Sequence, residues 1–201
     1  MRLLVATMNP GKLREFRELL AGLAVELVSL ADVQLHVQGD ETGESYADNA
    51  LLKARECCRL SGLCTLADDS GLEVDALGGR PGIRSARYGG PELSDGDRVA
   101  LLLTELNGVA WEQRTAHFRA AIAIACPDGR SWVVEGYCDG FISKQMVGEK
   151  GFGYDPVFFL PALQATMAQL SEDEKNKISH RAEAMRKARS LLDKELTRSQ
   201  E

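Results

Sequence analysis

The sequence predicts an α/β protein, a mixed sheet flanked by helices with a cleft between two lobes. Three observations predict it. Short apolar runs alternate with segments of helical spacing through the first third of the chain, the pattern of parallel strands joined by crossover helices. Two long alternating segments then flank Pro127-Asp128-Gly129, a hairpin signal that a purely parallel sheet would lack. No repeat, low-complexity tract or linker interrupts residues 1–201, so a single domain is expected.

Residues 2–6 read as a buried strand, and Asn9-Pro10-Gly11 turns the chain. Residues 12–20 place Leu13, Phe16, Leu19 and Leu20 on one helix face. Residues 25–29 make a short strand and 34–45 a polar loop. Residues 46–60 are helical, with Ala50, Leu51, Ala54, Cys57 and Cys58 inward. The apolar run 63–67 reads as a strand broken by Gly71, and 72–76 as a segment pairing beside it. Residues 78–91 form a loop rich in Gly and Arg. Ser94 and Asp97 have capping-box spacing and open a helix that buries Val99, Leu102, Leu103 and Leu106. Residues 114–125 and 131–142 form the hairpin, and 149–156 a second glycine loop. Ser171 caps a short helix; the last helix, 180–196, buries Met185, Ala188, Leu191, Leu192 and Leu196.

Hydrophobic residues make up 44% of the chain and charged residues 27%, an ordinary globular balance. A net charge of -6 gives no global field for nucleic acid, so an anionic substrate needs a local basic pocket. No apolar run approaches the roughly 20 residues of a membrane span, and the N-terminal run is too short for a signal peptide. Five cysteines, without CxxC or Cys/His spacing, read as reduced thiols of a cytoplasmic protein, with Cys64 and Cys126 as small core hydrophobes.

Chemistry concentrates in a few strings. In Ala67-Asp68-Asp69-Ser70-Gly71 two adjacent carboxylates repel each other, which suits a bound cation or a transferred proton; the plain alternative is a polar turn. Thr7-Met8-Asn9-Pro10-Gly11-Lys12 follows a strand and opens a helix, so backbone N–H groups, Lys12, Thr7 and Asn9 can attract phosphates, or simply cap the helix. Glu41, after Asp40, precedes a helix carrying Asn49 and Lys53; with Asp68 and Asp69 it offers hard oxygen ligands for magnesium. Gly151-Phe152-Gly153-Tyr154-Asp155-Pro156 allows close backbone approach and base stacking, or plugs the core with a tight turn. Arg80 and Arg84, in the first glycine loop, read as solvated or packed. Lys175, His180 and Arg181 sit near the terminal helix start, where donors can meet a keto oxygen.

Together these strings resemble the inosine/xanthosine triphosphate pyrophosphatases, which act on non-canonical purine nucleoside triphosphates. The matching elements are T-x-N-x-x-K at 7–12, E-T-G at 41–43, N-A-x-x-K-A at 49–54, A-D-D-S-G-L at 67–72, P-G-x-x-S-A-R-Y at 81–88, G-F-G-Y-D-P-x-F at 151–158 and S-H-R at 179–181. They keep the family's order over nearly the whole chain. Tyr46 stands where phenylalanine is usual, and Asp48 where glutamate is usual.

The resemblance implies an elongated fold with a central nucleotide-binding cleft, a homodimer, and magnesium-dependent hydrolysis between the α and β phosphates. It implies that Thr7, Asn9, Lys12 and Lys53 bind the triphosphate, and that Glu41 and Asp69 hold the metal. Asp69 would orient the attacking water, supported by Asp68. Phe152 would stack on the base, in one string with Gly153 and Tyr154; Ser70 and Asp155 would contact the nucleoside end, and Lys175, His180 and Arg181 the base. Neither membrane nor nucleic acid is an expected partner. A pyrophosphatase for other modified nucleotides and a non-catalytic nucleotide-binding module remain the alternatives.

Overall fold

The computed structural model describes residues 1–37 and 42–198. Seven strands form one sheet in the order β2-β1-β3-β4-β5-β6-β7. They are β1 Arg2–Ala6, β2 Glu26–Ser29, β3 Cys64–Val74, β4 Thr115–Ala125, β5 Ser131–Ile142, β6 Phe158–Leu160 and β7 Ala165–Thr166. The helices are α1 Pro10–Leu19, α2 Tyr46–Ser61, α3 Asp95–Glu105, α4 Glu172–Ile178 and α5 His180–Arg198. β1 is parallel to β2 and β3, whereas β6 is antiparallel to β5 and β7, so the sheet is mixed, as the sequence predicts.

The chain divides into two compact units. One comprises Met1–Asp69, Ala120–Gly136 and Arg181–Glu201. Its core joins Leu3 and Val5 of β1, Phe16 of α1, Leu66 of β3, Ile122 and Ile124 of β4, and Met185 and Leu192 of α5. Every residue of β1 from Leu3 to Ala6 is buried, as a strand covered on both faces requires. The second unit comprises Ser70–Arg119 and Tyr137–His180. Its core gathers Leu72 and Val74, the α3 face of Val99 and Leu102, and Phe118, Ile142, Val157 and Phe158. The expected position of Leu196 lies outside the described side chains.

Three expectations are corrected. First, Gly71 does not break its strand: β3 continues through it to Val74, so no separate segment 72–76 pairs beside 63–67. Leu72 and Val74 are fully buried, and their packing holds the glycine extended; the turn comes at Asp75–Leu77. Asp68 and Asp69 therefore lie within a strand, immediately past Ala67, the last residue paired with β1. Second, the short strands β6 and β7 carry no alternation long enough to read from sequence. Third, Cys64 and Cys126 are not separate thiols. Neighbouring strands bring their Cα atoms to 4.2 Å, and they form a disulfide across 62 residues of sequence. Cys57, Cys58 and Cys138 are free and buried. Among the described residues no helix is long and apolar enough to cross a membrane.

Candidate active site

In the first unit, α1 starts directly after β1. Asn9 is its N-cap: its side chain accepts from the Lys12 amide at 3.1 Å, while Thr7 Oγ1 accepts from the Asn9 amide at 3.2 Å. Pro10 occupies the first helical turn, where its missing N–H costs nothing. This cap fixes the first turn and sends Lys12 across to β3, with Nζ 3.1 Å from Asp68 Oδ2.

Helix α2 supplies two more groups one turn apart. Lys53 Nζ donates to the Asp68 carbonyl at 3.2 Å, and Asn49 Nδ2 donates to Asp69 Oδ2 at 3.0 Å. The other end of the Asn49 amide accepts from the Gly43 N–H at 2.8 Å. A Cβ on Gly43 would stand 2.7 Å from that Asn49 oxygen, so the glycine is a steric requirement. Arg181 of α5 completes the group. Its Nε and Nη2 each lie 3.3 Å from Asp68 Oδ2, and Nη1 donates to Glu15 Oε2 at 2.5 Å.

Charge explains this arrangement. Asp68 is 1% exposed, and burial alone would raise its pKa. Lys12, Arg181 and Lys53 outweigh burial and hold its carboxyl well below the usual range. Burial pushes the Lys12 ammonium below its ordinary value, with Asp68 opposing. Arg181 is desolvated too, but Asp68 and Glu15 raise its pKa. Asp68 Oδ1 is buried and accepts no hydrogen bond among the described residues. An orphaned carboxylate oxygen beside a second buried carboxylate, Asp69, fits a hard divalent cation. Glu41, the third expected ligand, lies outside the described residues, and among those described no cluster of three His, Cys, Asp or Glu forms.

In the second unit, the loop 151–156 is built around Asp155. Its Oδ2 accepts from the Phe152 amide at 2.9 Å and from Lys175 Nζ at 2.6 Å. Gly151 has φ +77°, and a Cβ there would stand 2.1 Å from the same oxygen. Lys175 Nζ also lies 4.6 Å from the Phe152 ring centroid. Ring, ammonium and carboxylate are thus pre-assembled. Tyr154 is an anchor: its hydroxyl donates to the Ser85 carbonyl at 3.0 Å. Gly153 gives its N–H to Asp95 at 3.1 Å. His180, 5% exposed, stacks on Phe118 with centroids 4.7 Å apart. Ser70, in β3, is half-buried. Arg80 pairs with Glu105 at 2.8 Å, a packing role.

The first unit thus gathers Lys12, Lys53, Asp68, Asp69 and Arg181, and the second gathers Phe152, Gly153, Tyr154, Asp155, Lys175 and His180. Arg181, expected at the base, here donates to Asp68 and Glu15. Sequence reasoning missed Glu15, Asn49 as a partner of Asp69, and Asp95. Glu15 stands three residues after Lys12 and Asn49 four before Lys53, so helical periodicity offered both. Nothing local marked Asp95, which lies inside an ordinary capping pattern.

The Ham1 family model matches residues 3–191. The dITP/XTP pyrophosphatase of Geobacillus kaustophilus is 52% identical over 92% of this chain and 91% of its own length. That of Bacillus subtilis is 45% identical over 94% and 96%. The solved Staphylococcus aureus Ham1 protein superposes with a TM-score of 0.87 at 36% identity, covering 97% of this chain and all of that one (100%). The Mycobacterium abscessus nucleoside-triphosphatase, a dITP/XTP pyrophosphatase, gives 0.75 at 46% identity over 96% and 99%. With its sequence matched nearly end to end and its fold shared with solved members, the chain belongs to the Ham1 family.

Proposed function

We propose that this chain hydrolyses inosine, deoxyinosine and xanthosine triphosphates to the nucleoside monophosphate and pyrophosphate, keeping deaminated purines out of DNA and RNA. The observation that carries the reading is the convergence of Lys12 and Arg181 on the Asp68 carboxylate and of Lys53 on the Asp68 carbonyl, with the Asp69 carboxylate next to them in the strand. The names of the relatives support the substrate class. Family membership supports a cytoplasmic homodimer.

Asp68, Asp69 and Glu41 would hold magnesium, which when bound neutralises phosphate charge and makes water easier to deprotonate. Lys12 and Lys53 stand ready for the phosphates, with Thr7 and Asn9 fixing the loop that presents Lys12. The two carboxylates have different tasks. Three cations hold Asp68 ionised, which makes it a poor proton acceptor and suits it to orient Lys12. The proton of the attacking water therefore goes to Asp69, whose Oδ2 is aligned by Asn49.

At the base end, Phe152 offers the stacking face. Hypoxanthine and xanthine carry a keto acceptor where adenine carries an amino donor. Donors at Lys175 and His180 favour the keto form. A mispaired buried group can discriminate by about 10⁴-fold. The test is pyrophosphate release with magnesium from dITP, XTP, ATP and GTP. Fast release from the first two alone is expected; equal release from all four would remove the deaminated-purine role, and no release would leave a binding module.

A further inference from the structure

We propose that Asp95, the first residue of α3, is a positioning residue that sets the base-binding loop through the Gly153 amide; this rests on the base-stacking role of Phe152 proposed above. Two consecutive loop amides, those of Phe152 and Gly153, are each taken by a carboxylate. Asp155 takes the first, from within the loop, and is itself fixed by Lys175. Asp95 takes the second, at 3.1 Å, from 58 residues away. It ties the Gly153 amide to α3, as Lys175 ties Phe152 and Asp155 to α4.

Gly153 needs such a tie. Its φ is +59°, a conformation open to glycine, and nothing lies within 4 Å of where a Cβ would be, so no neighbour packs on that side of the turn. The carbonyl of the Phe152–Gly153 peptide accepts from the Asp155 amide at 3.2 Å within the loop, and Asp95 holds the N–H of the same peptide from outside it. The support beneath Asp95 is firm. The α3 N-terminus is closed by the reciprocal Ser94–Asp97 capping box, and Val99 and Leu102 are buried in the core. The second oxygen of Asp95 accepts from Arg98 Nη1 at 3.3 Å. Arg98 is itself largely buried and faces the carbonyls of Gly90 and Pro91 at 3.5 and 3.4 Å. The chain Arg98–Asp95–Gly153 therefore transmits the position of a packed helix to the peptide next to the Phe152 ring. A base stacked on that ring would meet a platform whose tilt Asp95 fixes in advance, and preorganisation of this kind lowers the ordering cost of binding.

Asp95→Ala should raise KM for dITP by about fivefold, because the lost bond has a charged acceptor but is partly solvent-screened, and should leave kcat within about twofold. Asp95→Asn keeps an acceptor oxygen and should restore most of the KM. Hydrogen exchange of the Gly153 amide should quicken in the alanine variant and not in the asparagine one. Thr104→Ala is the control: it alters an exposed side chain near the other end of the same helix without touching Gly153 or the capping box, and its KM should match the parent. An unchanged KM in Asp95→Ala, or an equal rise in Thr104→Ala, overturns the positioning role. A parent protein inactive on dITP overturns the functional reading, and the positioning role with it.

Discussion

Glu15 and Arg181, 166 residues apart in sequence, form a buried ion pair 2.5 Å long. It closes the far side of a guanidinium whose near side grips Asp68. Removing one partner of such a pair strands the other charge away from water. Glu15→Ala is therefore expected to cost about 3 kcal/mol in urea unfolding, and Glu15→Gln, which keeps an acceptor, distinctly less. Equal, small losses in both would mean that water compensates Arg181.

The division of labour between the two aspartates separates activity from stability. Asp69→Asn should lower kcat by about 100-fold or more while the protein stays folded, since its neighbour Asn49 is neutral. Asp68→Asn should instead destabilise, because Lys12 and Arg181 lose their shared counter-charge. Steady-state kinetics beside thermal melts of both variants would check this; near-normal turnover in Asp69→Asn would remove it as the base.

Acid sensitivity follows from the same cluster. The folded pKa of Asp68 lies below its ordinary 3.8. Its contribution to stability is therefore complete above that value and is lost as pH falls through the folded one. Lys12→Met removes the largest lowering charge, so Asp68 in that variant should protonate at higher pH. Between about pH 5 and pH 3 its thermal midpoint should fall more steeply than that of the parent.

His117 works in the opposite direction. Partial burial disfavours its charge, but hydrogen bonds to Asp139 at 2.7 Å and Asp75 at 3.3 Å raise its pKa above the ordinary 6.5. A raised pKa gives stability that is full below the unfolded value and is lost as pH rises through the folded one. Melting should thus soften slightly from about pH 6 to about pH 8, by less than about 1 kcal/mol at this solvent-screened site, and His117→Gln should flatten the trend.

Alkylation followed by mass spectrometry should find three reactive thiols in unfolded, unreduced protein, those of Cys57, Cys58 and Cys138, and five after reduction. A bridge across 62 residues should contribute about 4 kcal/mol by loop-closure entropy, read as a lower urea midpoint in Cys64→Ala. Five thiols without reductant would place the sulfurs side by side but unbonded.

By itself the sequence determined what is local or periodic. The mixed α/β class, the faces of α1, α2 and α3, the caps at Asn9, Ser94 and Ser171, and the strings that hold Lys12, Lys53, Asp68, Asp69, Phe152 and Lys175 all follow from spacing and composition. Tertiary structure decided which charges meet. That Lys12, Arg181 and Lys53 share Asp68, that Glu15 backs Arg181, that Asp95 holds Gly153, and that Cys64 bonds Cys126 depend on separations of 15 to 166 residues. It also decided that β3 runs on through Gly71, because burial of Leu72 and Val74 outweighs the local tendency of glycine to end a strand. Local propensities amount to tenths of a kcal/mol per residue, whereas burying a side chain or pairing a desolvated charge involves several times more, so packing has the last word wherever the two disagree.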